Sequence, residues 1–209
     1  MDGISTLLDF DELNRIYEST SRSEYDMQKI LEAAYILGCR YAFSQLYGRE
    51  PDEDEIDDIV DVSLLNDTVW KKTDGKTFAD RMDERQQRGE GGERMRVVLE
   101  TEYHRIFDTS SHHAAEAISK RDGRHVIKTW HTQLDDRVRD THDYMQGQEK
   151  PLEEDFYTYN GDHAPTPGQF GVAEEDINCR CYLTYSFDSK QEDTGMMPDV
   201  RGNGHKNNA

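Results

Sequence analysis

Two cysteines separated by one residue, Cys179 and Cys181, close a stretch that opens at Lys128 and also holds Trp130, His131 and His142. On an extended strand, thiols at that spacing point to the same face. A disulfide between them is strained by this geometry. Two thiolates facing one ligand is the better arrangement, and His142 and His131 are available nitrogens. Cys179, Cys181, His142 and His131 together would make a closed tetrahedral zinc site. Such a site contributes on the order of 10 kcal/mol to folding, which suits a module with a lean core. The competing reading packs both thiols as small core residues and gives His142 a hydrogen bond to Asp135 or to a backbone carbonyl. The spacing leaves both open. In either case the stretch predicts a small cross-linked α+β module.

Composition bounds what surrounds that module. Of the 209 residues, 34% are hydrophobic and 33% charged, so a modest core with loose ends is expected. The formal net charge of −19 argues against a glove for nucleic-acid backbone, which needs clustered Lys and Arg. It fits a chain that docks on a basic partner or stays away from DNA. No stretch approaches the roughly 18 to 20 apolar residues of a membrane span. Met1-Asp2-Gly3 begins no basic or apolar leader, so no signal peptide is expected. Three cysteines are too few for a disulfide scaffold and suggest a reducing compartment.

Along the chain, Asp9 to Ser19 predicts a short helix. Ser23 to Gly48 predicts a long one, with Ser23 as N-cap, Asp26 in the first turn and Gly48 as the stop. Its apolar positions run through Tyr25, Met27, Ile30, Leu31, Ala34, Leu37, Tyr41, Ala42 and Leu46. Cys39 reads as a buried helix residue. Glu50 to Asp61 carries eight acidic residues and reads as a solvated linker or a negatively charged helix face. Asp74-Gly75 predicts a turn and Thr77 the cap of the next helix. Gly75-Lys76-Thr77 is no phosphate loop, because Trp70 stands where the earlier glycine is needed. Glu93 to about Lys120 predicts a second long helix with Met95, Val98, Thr101, Ile106, Ala114, Ala117 and Ile118 inward. His112 and His113 are expected to be exposed.

From Val126 a strand through Trp130 is expected, then a short helix from Asp135 to Met145, ended by Gly147. Further strands are expected at Asp155 to Asn160 and Cys179 to Phe187. The fold class is therefore α+β: a helical N-terminal half, then a compact module with a short helix and a small antiparallel sheet. The expected divisions are a helical region with the acidic run at 1–69, a module at 70–188 and a disordered tail at 189–209. Asp135, Asp136, Arg137, Arg139, Asp140 and His142 form a dense polar patch. An acid beside a histidine invites a metal-dependent hydrolase reading, but no nucleophile elbow, zincin motif or paired-metal carboxylate set accompanies it. No catalytic or cofactor-binding residue is assigned.

Trp130, Asp135-Asp-Arg-Val-Arg-Asp-Thr-His142, Gly147-Gln148, Phe156, the proline loop and Asn178-Cys-Arg-Cys181 together resemble the phage head morphogenesis domain, typified by protein F of phage Mu. The resemblance runs from about Trp70 to Phe187. It includes the turn-helix at Gly75-Lys-Thr-Phe-Ala-Asp80 and the helix bearing Thr101-Glu102; Glu100 stands where such proteins often carry Arg. Trp130, Asp135, Arg137, Arg139 and Gly147 are its structural motif residues. The resemblance implies a minor capsid protein of the virion, in the capsid interior after assembly in the host cytoplasm. It implies association with the portal protein, with scaffold and major capsid proteins as further candidates, and a link to DNA packaging or ejection. The same domain occurs in toxin-like chains fused to effector domains, which makes an effector the rival reading. No room for an effector is expected after Phe187.

Overall fold

The computed structural model describes residues 24–189. The predicted helix at Asp9 to Ser19, the Ser23 cap and nearly all of the predicted tail lie outside them. Five helices come first: α1 (Glu24–Tyr47), α2 (Glu53–Ile59), α3 (Val62–Val69), α4 (Phe78–Gln87) and α5 (Glu93–Asp122). A module follows, comprising β1 (Val126–His131), α6 (Asp140–Asp143), β2 (Glu149–Pro151), β3 (Phe156–Tyr157), β4 (His163–Ala164), α7 (Ala173–Asp176) and β5 (Tyr182–Phe187). The fold is α+β, with helices first and a small antiparallel sheet after them.

The acidic run does not separate two ordered parts. It forms α2 because Asp52 and Glu55 make a reciprocal capping box and because Ile56 and Ile59 can be buried beneath the charged face. The Asp74-Gly75 turn is a tight hairpin in which both residues have positive φ, closed by paired bonds between Thr73 and Lys76. Thr77 caps α4 as expected, with Asp80 completing its box.

Helices α1 and α5 form the centre of the helical half. Leu31, Ala34, Tyr35, Cys39, Ala42 and Phe43 of α1 meet Ile106, Phe107, Ala114, Ala115 and Ile118 of α5 in one buried cluster. Tyr35 and Phe43 fall off the single stripe read from the sequence. They are buried because α1 is covered on several sides, by α5, by the smaller helices and by β5. At Gly38 the backbones approach so closely that a Cβ would lie 2.0 Å from Ser110 Oγ. His112 is not exposed as expected: it is buried, with Nε2 3.4 Å from Glu116 Oε1. His113 is half-buried, with Nδ1 3.1 Å from the Tyr35 hydroxyl.

The sheet runs β2-β1-β5 with both pairings antiparallel, and β3 pairs separately with β4. Alternation along β1 sends Val126, Lys128 and Trp130 inward, while Ile127, Thr129 and His131 lie on the other, half-buried face. The module docks on the helices through Tyr41, whose hydroxyl donates to Leu183 O (2.9 Å), and through Tyr185, whose hydroxyl is 3.0 Å from Ser111 Oγ.

Candidate metal centre

The short helix in the module is much shorter than predicted. Asp135 does not cap it. Its carboxylate accepts both guanidinium donors of Arg180 (2.7 and 2.6 Å) and the Arg137 amide (3.1 Å), which closes a local turn after Leu134 at positive φ. The fork of Arg180 holds the Asp135 carboxyl down at about 2. The helix begins only at Asp140, and this places Thr141 and His142 inward. Gly147, at φ 74°, turns the chain back so that its amide reaches Trp130 O (2.8 Å) and Trp130 N–H reaches Gln148 O (3.0 Å).

On the other side, α7 ends in a turn that delivers the two cysteines. Asp176 accepts the amides of Phe170 (2.9 Å) and Gly171 (2.8 Å), and its own carbonyl accepts Cys179 N–H (3.2 Å). Asn178 takes a left-handed conformation, φ 57°, and its amide donates to Thr101 Oγ1 of α5 (3.3 Å). The Arg139 guanidinium donates to Ile177 O, and Gln133 Nε2 donates to Arg180 O (3.1 Å). The Cys-x-Cys pair thus precedes β5 and is not within it, yet both side chains face inward.

Three of the four predicted ligands converge. His142 Nδ1 lies 3.3 Å from Cys181 Sγ and 3.6 Å from Cys179 Sγ, and all three residues are buried. His131 does not join them. It sits on the opposite face of β1, stacked on Tyr182 at 5.1 Å, with Nε2 2.8 Å from Thr184 Oγ1. Its position next to Trp130 in a strand excludes it from the side Trp130 faces.

A fourth participant was not foreseen. Glu175, itself buried, places Oε2 3.0 Å from His142 Nε2 and accepts from the Thr141 hydroxyl at 2.8 Å. Three consecutive acids in α7 gave no reason to single it out; only the packing of α7 against α6 does. Aromatic rings wall the cluster. Phe170 stacks on the His142 ring at 5.4 Å, and Trp130 meets both rings edge-on. Two further buried residues of α5 face the cysteines, His104 and Asp108, whose Nδ1 and Oδ2 are 3.1 Å apart. Burial lowers the His104 imidazole below its usual range and pushes the Asp108 carboxyl well up.

The two sulfurs differ. Cys179 is drawn well below the usual thiol range, first by a hydrogen bond from Cys181 and then by His142, against the effect of burial. Cys181 is pushed well up because it serves Cys179 as donor and because it is buried. Beside Cys181 and His142 a small cleft opens between Arg137, Arg139 and Arg180. Imidazole, thiol and carboxylate in a row are the elements of an activated nucleophile. Here, however, the sulfurs are only 5% and 3% exposed.

The comparisons with known proteins cover this module together with the helices α4 and α5 before it. The model of the phage Mu protein F like protein family matches residues 65–184. Minor head protein GP7 of Bacillus phage SPP1 is 32% identical over 106 residues, 51% of this chain and 32% of that protein. The NAD(+)--arginine ADP-ribosyltransferase EFV of Enterococcus faecalis is 36% identical over 83 residues, 40% of this chain and 16% of that protein. The chain therefore spans a third or less of either relative. No solved structure matches it. With more than half of its length under the family model, the chain belongs to the phage Mu protein F-like family of phage minor head proteins.

Proposed function

We propose that this chain is a minor capsid protein that joins the portal vertex during procapsid assembly in the host cytoplasm and remains in the capsid interior of the virion. The likeness to a phage minor head protein over 106 residues carries this reading. The charge supports it: a chain at −19 is suited to basic protein partners and poorly suited to gripping DNA backbone. The portal protein is the partner proposed first, with scaffold and major capsid proteins next. A part in DNA packaging or ejection follows from that position. In this reading residues 70–188 are the head-morphogenesis module, residues 1–69 a helical region that bears the acidic run, and 189–209 a tail. Among the described residues no helix is long and apolar enough to cross a membrane.

The module acts without catalysis in this reading. The buried His142, Cys179 and Cys181 cluster is its internal cross-link, and zinc is the cross-link its chemistry favours. The transferase likeness covers 16% of that protein and brings no activity with it. The test is mass spectrometry of gradient-purified procapsids and virions from the phage that encodes the chain, with the portal and major capsid proteins as internal standards. A few copies per particle are expected. Complete absence from both particles overturns the structural role and promotes the effector reading.

A further inference from the structure

We infer that His142 Nδ1, Cys179 Sγ and Cys181 Sγ hold one zinc ion, with Glu175 as the positioning residue that fixes His142. The inference deepens the cross-link reading but does not depend on the head-protein role.

The argument is one of lone pairs. A neutral imidazole has one donor nitrogen and one acceptor nitrogen. The Glu175 carboxylate lies 3.0 Å from Nε2, off the axis of an N–H hydrogen bond but close enough for its charge to favour the proton on that nitrogen, which leaves the Nδ1 lone pair facing the sulfurs. Two sulfurs then converge on that one lone pair, at 3.3 and 3.6 Å. Only one thiol can donate to it. A single cation satisfies all three atoms at once. Typical tetrahedral Zn–S and Zn–N bond lengths place nitrogen and sulfur ligands about 3.5 Å apart, and the observed separations bracket that distance. All three ligand atoms lie within 4.8 Å of one another.

The donor set selects the ion. Two thiolates and an imidazole suit zinc and disfavour calcium or magnesium, which take oxygen. The second shell is built as a zinc site requires. Glu175 is 6% exposed and is itself held by Thr141, so the histidine is oriented through a carboxylate that is also bonded. Phe170 and Trp130 fix the ring from its face and edge. No fourth side chain joins the ligand group among the described residues. A small cleft lined by Arg137, Arg139 and Arg180 reaches His142 and Cys181.

The test uses the full chain, stripped of metal with a chelator and titrated with cobalt, then zinc. One cobalt per chain should bind with thiolate-to-cobalt charge-transfer absorption, and zinc should displace it. The absorption should vanish in the Cys179→Ser/Cys181→Ser variant. Glu175→Gln should weaken cobalt binding on the order of 10- to 100-fold while keeping the same spectrum, as an outer-shell partner does. Should the double variant fail to fold, thiol counting on the native chain decides: zinc should shield both cysteines from a thiol reagent. Absence of charge-transfer absorption in a folded chain, thiols equally reactive with and without zinc, or a mass showing a Cys179–Cys181 disulfide overturns the site.

Discussion

The helical half and the C-terminal module share one continuous core but are held together in different ways. In the helical half, α1 and α5 bury wide apolar faces, and the polar groups buried in α5 are partnered mainly within that helix: the Thr109, Ser110 and Ser111 hydroxyls donate to carbonyls three or four residues back, and His104 and His112 lie against Asp108 and Glu116 one turn on. In the module, the interior contains Lys128, Thr141, His142, Glu175, Cys179 and Cys181, buried and each placed against a specific partner atom. A long helix supplies enough apolar surface from a lean composition. Strands of two to six residues cannot, so the module relies on directional bonds, whose worth depends on every partner being present.

Two truncation or insertion variants test this contrast most strongly. Trp130 is fully buried and its ring touches His142, Phe156 and Phe170. Trp130→Ala should cost about 3–5 kcal/mol in urea unfolding and should also loosen the His142 cluster, seen as faster thiol modification. A cost under about 1 kcal/mol would mean that the polar network holds the module without its aromatic wall. On the helical side, Gly38→Ala places a methyl group against Ser110 Oγ and, at 2.4 Å, against Phe107 O. Because the backbone carbonyl cannot rotate away, about 3 kcal/mol is expected from overpacking. A neutral result would show that α1 and α5 slide apart easily, and the picture of a rigid helical scaffold would fail.

Lys128 separates the two regions by pH. It is fully buried, and its ammonium donates to Leu152 O and Pro165 O at 2.9 Å each, beneath the Phe156 ring. Burial lowers its pKa from 10.5 to about 8, partly countered by Asp155, Glu116, Glu153 and Glu154. The unfolded chain therefore binds this proton more tightly than the folded one. The destabilisation is complete below about pH 8 and is relieved as pH rises toward 10.5. Lys128 alone should add about 2 kcal/mol of stability over most of that window. Buried Tyr35, Tyr41 and Tyr185 are shifted upward from 10.0 and act in the opposite sense from about pH 10, already at the top of that window. The informative quantity is thus the difference between the native chain and Lys128→Met. That variant should lose the rise, and at neutral pH should be destabilised by about 1–3 kcal/mol because two carbonyls lose their donor. Parallel pH profiles for the two chains would remove Lys128 from the account.

The same contrast explains what could be read in the sequence. Periodicity, caps and breakers located α1, α4 and α5 and the turn at Asp74-Gly75, because a helix announces its ends and its inward face locally. It missed Tyr35 and Phe43, since one stripe does not tell how many neighbours surround a helix. In the module, Cys179, Cys181 and His142 were recognisable as residue types with suitable spacing. His131 was carried along by type and excluded by strand alternation. Asp135 had the local signature of a cap, but Arg180, distant in sequence, took its carboxylate. Glu175 and Lys128 could not be singled out at all. Both are charged residues whose burial depends on partners dozens of positions away.

The smallest effect tests whether polar groups in the helical half act only locally. Thr77 is 2% exposed, its hydroxyl accepts the Asp80 amide at 3.1 Å, and its own amide donates to Asp80 Oδ2 at 2.7 Å. Thr77→Ala removes one side of this box and should cost about 1 kcal/mol, while Thr77→Ser should retain most of it. The loss should appear in hydrogen exchange of the first turn of α4 and leave the thiol reactivity of Cys179 and Cys181 unchanged. Faster modification of those thiols in Thr77→Ala would show that α4 and the module are energetically coupled. The separation between a scaffold stabilised locally and a module stabilised by its network would then have to be given up.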